Sequence, residues 1–263
     1  MWKWEAETPK GVFVIVHGSG EHHGRYEWLI EKCRKNGFHV VMGDLPGYGA
    51  KAELSGHIDS FDEYIDSVSK WVKAAENFQL PIFIIGHSLG GLAVIRTLTE
   101  KKLPVTAAIL SSPCLGLVHP PPGPLKVFSR LVDFILPKLR VRLKKDGRNP
   151  LATRNKERLK KDAKDKLIGT SVSIRWYNEL DKAIAMAQEK IKEFPNVPLL
   201  VLQAGDDKIV DKNDVFKWFQ QLPVEEREYK EWDGLYHEIF NEPEREQVFQ
   251  YMLDYVNCLL EES

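Results

Sequence analysis

The sequence predicts a doubly wound, mostly parallel α/β sheet with an inserted helical cap. Short β-branched runs, apolar on both faces, alternate with amphipathic helical patterns, as in sheets covered by helices on both sides. The alternation stops over residues 115–195, which contain helical patterns but no candidate strand. Residues 120–194 also hold 19 of the 37 Lys and Arg residues but 9 of the 38 Asp and Glu residues. We therefore expect a core of residues 1–114 and 196–263 and a cap of residues 115–195.

The core elements follow one another in the order expected of a parallel sheet. Each run is four to six residues long, and a helical pattern separates most of them. The predicted strands are Val12–Val16, Phe38–Met42, Ile82–Ile85, Val105–Leu110, Leu199–Leu202 and the short pattern Arg227–Trp232. The predicted helices are Arg25–Lys35, Ser60–Asn77, Leu89–Lys101 and Asn241–Leu260. Ser60 and Glu63 have the spacing of a capping box at the start of the second helix.

Composition argues against several classes of protein. The net charge of −1 disfavours a nucleic-acid partner, because binding along phosphates needs a net basic surface. No apolar run approaches the roughly 18 residues of a transmembrane helix, and the N-terminal residues lack the apolar stretch of a signal peptide. Three scattered cysteines fit a reducing compartment better than a disulfide framework. We expect a cytoplasmic protein.

The cap carries two patterns, each with two interpretations. Its basic residues form either a solvated face or a surface that meets anionic lipid transiently, where each nearby cation contributes roughly 1 kcal/mol. These residues include Lys144, Lys145, Arg158, Lys160, Lys161 and Lys164. Apolar residues at helical spacing either line a groove for an acyl chain or belong to the core. They are Leu125, Phe128, Leu131, Val132, Ile135 and Leu136.

The segment Gly86–Gly90 matches the G-x-S-x-G pattern of a nucleophile elbow. It follows an apolar strand and precedes a helix, as the elbow requires. Glycines two residues to either side of Ser88 let the strand and the helix approach closely. The helix N-terminus also favours a developing oxyanion. The alternative is a glycine-rich turn with an incidental serine.

A serine hydroxyl needs a neighbouring base that takes its proton. In this architecture an acid and then a histidine follow the serine, each after a strand. Two histidines follow Ser88 in the sequence. His119 precedes a proline run and has no strand before it, whereas His237 follows the pattern Arg227–Trp232 and a turn. His237 is therefore the predicted base, and a lone surface histidine is the alternative.

The acid is expected just after the strand Leu199–Leu202, where Asp206 and Asp207 are adjacent. The carboxylate has to be buried against the imidazole in order to fix its tautomer. We choose Asp207, which is followed by the apolar pair Ile209–Val210, and keep Asp206 as the alternative. Asp211 is expected to cap the helix that follows.

The loop His17–Gly24 follows the first core strand and is rich in glycine. An oxyanion hole needs two backbone N–H groups directed at one point. The residue after the nucleophile, Leu89, supplies one of them, and Ser19 in this loop is the expected source of the other.

The same loop permits two other interpretations. Gly18-x-Gly20, with Asp44 after the next strand, imitates a dinucleotide fingerprint, but Gly24 lies one residue too far along. The loop also holds three histidines without a paired carboxylate or thiolate, so we expect no metal. These histidines are His17, His22 and His23.

Five segments together resemble the monoacylglycerol lipase and lysophospholipase family of the α/β-hydrolase superfamily. The likeness is strongest to the bacillar phospholipase branch, spans nearly the whole chain and is weakest across the cap. The segments are His17–Tyr26, Gly86–Gly91, Leu110–Pro113, Gln203–Asp211 and Tyr236–Glu242.

The resemblance implies roles for individual residues. Ser88, Asp207 and His237 match the catalytic triad of the family, and the backbones of Ser19 and Leu89 match its oxyanion hole. Positions matching Glu21 and Arg25 help to shape the polar end of the substrate pocket, and a structural ion pair that holds the loop is the alternative. The resemblance also implies a mobile helical cap that keeps water from the acyl chain, and no cofactor.

The chain departs from the family pattern at three places. Leu89 stands where Met is usual, which leaves the backbone donor unchanged. The loop Asp44–Ala50 lacks the Arg and the Ser usually found there. Only about ten residues precede the first core strand, so we expect the leading antiparallel strand of many superfamily members to be missing.

We therefore expect a serine carboxylester hydrolase that cleaves the acyl ester of a single-chain lipid through an acyl-enzyme. The lipid is a monoacylglycerol or a lysophospholipid, and neither nucleic acid nor a protein partner is implied. The alternatives are a short-chain or aryl esterase without lipid preference and a relative that binds a ligand without hydrolysis.

Overall fold

A computed structural model describes residues 1–142 and 149–261 of the chain. Residues 143–148 of the predicted cap, with the basic residues Lys144 and Lys145, lie outside the described residues. Within the described residues, no helix is both long and apolar enough to cross a bilayer.

The described residues contain a central seven-stranded sheet that is parallel except at one edge. The strand order is β1-β3-β2-β4-β5-β8-β9, in which the crossover between β2 and β4 places the later strands on the other side of β2. The strands of this sheet are β1 Trp2–Trp4, β2 Gly11–Val16, β3 Phe38–Met42, β4 Ile82–His87, β5 Ala107–Ser111, β8 Leu199–Ala204 and β9 Arg227–Trp232. The six core strands therefore lie within two residues of their predicted bounds.

Helices cover both faces of the sheet. The α-helices of residues 1–142 and 149–261 are α1 Glu27–Lys35, α2 Asp62–Glu76, α3 Leu89–Glu100, α4 Gly123–Ile135, α5 Lys156–Asp162, α6 Ile174–Glu189, α7 Lys212–Gln221 and α8 Arg245–Glu261. Alternate residues of β2 point to the two faces of the sheet. Phe13 and Ile15 belong to a buried cluster that also contains residues of α1 and α8, whereas Val12 and Val14 belong to a second cluster with residues of α2, α3, α6 and α7. This double burial explains why the strands are continuous apolar runs, and it confirms the predicted doubly wound fold.

The expectation of no leading antiparallel strand is wrong. Trp2–Trp4 pairs antiparallel with β3, with Trp2 opposite Met42. The Trp2 ring also stacks on His23, with 3.6 Å between ring centroids. Three residues suffice because the outer edge of β3 offers unpaired backbone groups, which a short extended segment can cover. So short a strand leaves no recognisable apolar run in the sequence.

The cap region also contains strands that its sequence did not predict. Two three-residue strands, β6 Arg140–Arg142 and β7 Ser171–Ser173, pair antiparallel with each other. Their arginine and serine side chains have no apolar periodicity, and the pairing depends on contact between distant segments. The region rests on the core through α6, where Trp176 Nε1 donates to the hydroxyl of Tyr64 at 2.8 Å. The division into core and cap stays a prediction.

Two helix starts follow their predicted chemistry. The Glu63 carboxylate accepts from the backbone N–H groups of Asp59 and Ser60, at 2.7 and 3.2 Å, so the glutamate half of the capping box forms. Asp211 caps α7, because its carboxylate accepts from the N–H of Asn213 at 2.9 Å.

Candidate active site

Ser88 lies in a sharp turn between β4 and α3. Its backbone has φ 52° and ψ −116°, a left-handed conformation that is strained for a residue with a side chain. The turn requires glycine beside it: a Cβ on Gly86 would lie 2.7 Å from Gly90 O, and a Cβ on Gly90 would lie 2.5 Å from His17 O. These contacts are typical of a nucleophile elbow, in which the serine is raised above the carboxyl edge of the sheet.

Asp207 and His237 form a buried pair. His237 Nδ1 lies 2.8 Å from Asp207 Oδ2, and the side chains are 5% and 0% exposed. The second carboxylate oxygen, Oδ1, accepts from the N–H groups of Ile209 and Val210, each at 2.9 Å. Asp206 is exposed and has no part in this pair.

Burial and hydrogen bonding act in opposite directions on the Asp207 carboxylate. Burial alone raises its pKa, but the imidazole of His237 and the backbone donors outweigh this effect and bring the pKa below its usual value. The carboxylate therefore stays ionised at neutral pH. It can then accept the Nδ1 proton of His237, which leaves Nε2 free to act as a base.

A cavity of about 560 Å³ opens onto this region. Ser88 and His237 both line it, as do Ser19 and Leu89. This volume is typical of sites for small organic ligands. The rest of the wall is mostly apolar and comes largely from the cap region, including Leu125, Phe128, Val132, Leu139, Val172 and Leu180.

The predicted oxyanion loop is held by hydrogen bonds within the loop and to Tyr48. The N–H of Gly18 donates to Glu21 Oε2 at 2.7 Å, and the Ser19 hydroxyl lies 3.1 Å from that of Tyr48. Among the hydrogen bonds of residues 1–142 and 149–261, neither the N–H of Ser19 nor that of Leu89 has a partner. Both groups therefore remain available to an oxygen in the cavity.

His17, in the predicted oxyanion loop, and His87, next to Ser88 in the sequence, are both buried. His17 accepts the N–H of Leu45 at Nε2 and therefore donates from Nδ1 to Gly18 O. Burial lowers the pKa of His17 to about 4, and burial followed by the nearby His237 lowers that of His87 to about 3. Both rings are neutral at pH 7, and they shape the site without carrying charge. The sequence did not indicate that the His87 ring packs against that of His237, with 4.8 Å between centroids.

The three histidines of the glycine-rich loop do not converge. His22 Nε2 lies 2.7 Å from Asp165 Oδ2, and His23 Nδ1 lies 2.9 Å from Asp44 Oδ1. Asp44, the acidic residue of the apparent dinucleotide fingerprint, is thus hydrogen-bonded to His23. His119, the other histidine that follows Ser88 in the sequence, is exposed at the cavity wall.

Glu21 and Arg25 have different positions relative to the cavity. Glu21 lines it, whereas Arg25 does not, and the two side chains form a buried ion pair. Arg25 also meets Asp162 and Glu238, neither of which sequence reasoning singled out. The contacts therefore agree with the structural ion pair that was the alternative for Arg25.

The apolar residues of α4 divide between two surroundings. Leu125, Phe128 and Val132 line the cavity. Leu131 and Ile135, in contrast, are 65% and 75% exposed. None of them is a core residue, because α4 packs on α6 at the margin of the molecule and turns its remaining apolar side to solvent.

The fold and this site define a serine hydrolase of the α/β-hydrolase class. The family described as serine aminopeptidase, S33, matches residues 7–244, and the chain belongs to it. The family assignment thus covers the elbow, both partner residues and most of the chain.

Individual relatives agree with the resemblance seen in the motifs. The chain is 50% identical over 252 residues to phospholipase YtpA of Bacillus subtilis, covering 95% of this chain and 96% of that protein. It is 26% identical over 247 residues to the monoglyceride lipase of Rattus norvegicus, covering 92% and 79%. The crystal structure of Paleococcus ferrophilus monoacylglycerol lipase matches with a TM-score of 0.86 and 28% identity, over 100% of this chain and 99% of that one. The predicted likeness to this family and to its bacillar phospholipase branch is confirmed.

Proposed function

We propose that the protein is a serine carboxylester hydrolase that cleaves the acyl ester of lipids with a single acyl chain. One observation carries the proposal: Ser88 and His237, which is paired with the buried Asp207, both line one cavity of about 560 Å³ whose wall is mostly apolar. An acyl chain fits such a wall, because each buried methylene contributes about 0.8 kcal/mol. The names of the relatives, phospholipase and monoglyceride lipase, agree with this substrate class.

The proposed mechanism proceeds in two halves through an acyl-enzyme. Ser88 Oγ attacks the ester carbonyl carbon while His237 Nε2 takes the hydroxyl proton. The N–H groups of Ser19 and Leu89 stabilise the oxyanion, and Asp207 stabilises the imidazolium. His237 then gives its proton to the leaving alcohol, and a water molecule, deprotonated by His237, releases the fatty acid and restores Ser88.

Residues 115–195 act in this proposal as a cap over the acyl chain. The exposed apolar side of α4 supports contact with a lipid surface, since a large apolar patch on a monomer marks an interaction site. Lys160, Lys161 and Lys164 are exposed in the same region, which supports a preference for anionic lipid. The contact would be transient and peripheral, and it would bring the cavity close to its substrate.

The experiment is a hydrolysis panel of matched monoacylglycerols and lysophospholipids over several acyl lengths, with short p-nitrophenyl esters and aminoacyl amides beside them. We expect cleavage of the single-chain lipids with a dependence on acyl length. Turnover of the aryl esters without lipid cleavage would favour an esterase that lacks lipid preference, and cleavage of the amides alone would favour a peptidase.

Ser88→Ala is the matched control for the panel. It removes the nucleophile and keeps the backbone donors, so kcat should fall by on the order of 10⁴–10⁶ on every substrate. Labelling by a fluorophosphonate should disappear in the same variant. A variant that retains near wild-type turnover would contradict the mechanism, and a wild type that resists labelling would favour a binding protein without hydrolysis.

A further inference from the structure

We infer that Arg25 is a positioning residue that fixes the oxyanion loop and the histidine-bearing loop relative to each other, and that the cap completes its coordination through Asp162. The inference rests on the proposed function, because it assigns Arg25 a part in the geometry of that reaction. It does not place Arg25 on the substrate, since Arg25 is absent from the wall of the cavity.

The guanidinium of Arg25 joins three carboxylates from three parts of the chain. Nη1 pairs with Glu21, Nη2 lies 2.9 Å from Glu238 Oε2, and the Nε and Nη2 groups donate to the two oxygens of Asp162 at 3.3 and 2.8 Å. The Arg25 side chain is 4% exposed, so water does not substitute for these partners. A planar fork with five donors can serve three acceptors at once, which a lysine ammonium cannot do in the same geometry.

The first link leads to the oxyanion loop. Glu21 uses one carboxylate oxygen for Arg25 and the other for the N–H of Gly18, at 2.7 Å, and for the hydroxyl of Tyr26, also at 2.7 Å. Gly18 directly precedes Ser19, whose N–H is the proposed oxyanion donor. The orientation of the Glu21 carboxylate therefore sets the peptide plane next to that donor.

The second link leads to the catalytic base. Glu238 follows His237 directly, and its own N–H donates to Ala152 O in the cap region at 2.8 Å. Because Arg25 holds the side chain of Glu238, it limits movement of the backbone that carries the imidazole. The same guanidinium thus restrains both the base and the oxyanion donor.

The third link leads to the cap. Asp162 ends α5, is 4% exposed, and also accepts from Arg158 Nε at 2.8 Å. Arg158 Nη1 in turn donates to the backbone carbonyl of Arg25 at 3.3 Å. A second contact runs in parallel, from Gly169 N in the cap region to Gly20 O in the oxyanion loop at 3.0 Å. The position of α5 is therefore coupled to the orientation of the N–H group of Ser19.

The test compares Arg25→Lys and Asp162→Asn with the wild type on a soluble p-nitrophenyl ester. Arg25→Lys keeps one positive charge but loses the fork, and a displacement of about 1 Å in a reacting geometry can cost on the order of 100-fold. We expect kcat to fall at least tenfold with KM within about threefold of the wild type. Asp162→Asn removes the charge of the cap partner and replaces one acceptor oxygen with an amide donor that faces a guanidinium. It should give a smaller fall in kcat of the same kind.

A second readout separates positioning from general loss of structure. An arylboronic acid that forms a tetrahedral adduct on Ser88 should bind the variants more weakly, by about the factor lost in kcat, because the adduct needs the oxyanion donor. Arg96→Lys is the matched control: Arg96 is 3% exposed and ion-paired with Glu100 on α3, away from the three loops, and its kcat should not change.

The outcomes distinguish this inference from the proposed function. Wild-type kcat and boronate affinity in folded Asp162→Asn and Arg25→Lys would overturn the inference while leaving the proposed function intact. If Arg25→Lys does not fold, Asp162→Asn alone decides between the two results. Failure of the wild type to react with a fluorophosphonate would overturn the proposed function and this inference with it.

Discussion

The imidazoles of His237 and His17 have different hydrogen-bond partners. His237 has a carboxylate at Nδ1, and in the proposed mechanism this charge stabilises an imidazolium. His17 has only backbone partners, a carbonyl at Nδ1 and the N–H of Leu45 at Nε2. Burial disfavours protonation of the His17 ring and outweighs the opposing effect of the nearby Asp44 charge. One histidine can therefore exchange protons while its neighbour serves as a fixed support for the oxyanion loop.

This difference predicts a loss of stability in weak acid. The pKa values of His17 and His87 are lowered to about 4 and about 3, against 6.5 in the unfolded chain. The stability that the two neutral rings contribute is fully present above pH 6.5. It is lost as pH falls from that value towards the pKa of the folded state, because the unfolded state binds protons first. As pH falls from 7 to 5, each ring should lower the free energy of unfolding by about 2 kcal/mol.

Urea unfolding at the two pH values measures this effect. Between pH 7 and pH 5, the free energy of unfolding of His17→Asn should decrease by about 2 kcal/mol less than that of the wild type. An equal decrease in both proteins would mean that His17 binds protons alike in its folded and unfolded states.

Residues of the site differ in how far the sequence could predict them. Ser88, Asp207 and His237 each follow a strand, so topology alone brings them to one edge of the sheet. Asp207 could be preferred to its neighbour because apolar residues follow it, and their N–H groups do hold its carboxylate. The partners of Arg25, by contrast, lie 137 and 213 positions away, and no local pattern connects such distant residues.

Close backbone packing leaves no room for a side chain in the nucleophile elbow at Gly90. The helix α3 approaches β2 so closely that Gly90 faces the carbonyl oxygens of Val16 and His17. Both oxygens belong to the backbone, which cannot move aside as a flexible side chain can. The position of the elbow against the oxyanion loop thus depends on the missing side chain at Gly90.

Gly90→Ala should therefore reduce both stability and activity. Overpacking of this kind costs about 1–3 kcal/mol, and the displaced elbow should lower kcat by at least tenfold. Chemical denaturation and ester hydrolysis measure the two effects.

Gly123→Ala provides the matched control, because a Cβ on Gly123 in α4 would meet nothing within 4 Å. It should change stability by no more than about 0.5 kcal/mol in either direction, because no neighbouring atom has to move. Equal effects of the two substitutions would contradict the packing argument.

Elements with a long apolar pattern could be predicted from the sequence, and three-residue strands could not. The buried strands such as β2 and β4 are apolar on both faces, so their composition alone indicates them. Strands β1, β6 and β7 have three residues each and form because a partner edge is near. Their stability comes from tertiary pairing rather than from local sequence, and the sequence therefore gives no sign of them.

The apolar surface of α4 contrasts with the buried core of the protein. Phe134 is 90% exposed and Ile135 is 75% exposed, although both are among the most apolar residues of the cap region. The periodicity of α4 predicted an apolar side correctly. It could not show what covers that side, because the pattern is the same for a core helix, a groove and a lipid-facing surface.

Phe134→Ser tests the proposed contact with lipid. Removal of the exposed ring should lower the rate on a monoacylglycerol in phosphatidylglycerol vesicles at least threefold, since an interfacial helix binds through its apolar area. The rate on a soluble p-nitrophenyl ester should stay unchanged, because Phe134 does not line the cavity.

Phe216→Ser is the control for this test, as Phe216 is 43% exposed on α7, outside the cap region. It should affect neither substrate. Equal rates of the Phe134 variant and the wild type on vesicles would remove the role given to this surface.

The open side of α4 has a practical consequence for work with the purified protein. A helix that exposes Phe134 and Ile135 to water should self-associate when no amphiphile is present. Association buries the same apolar area that lipid would bury. Concentrated preparations should therefore cluster reversibly, and traces of detergent should disperse them and increase the measured turnover.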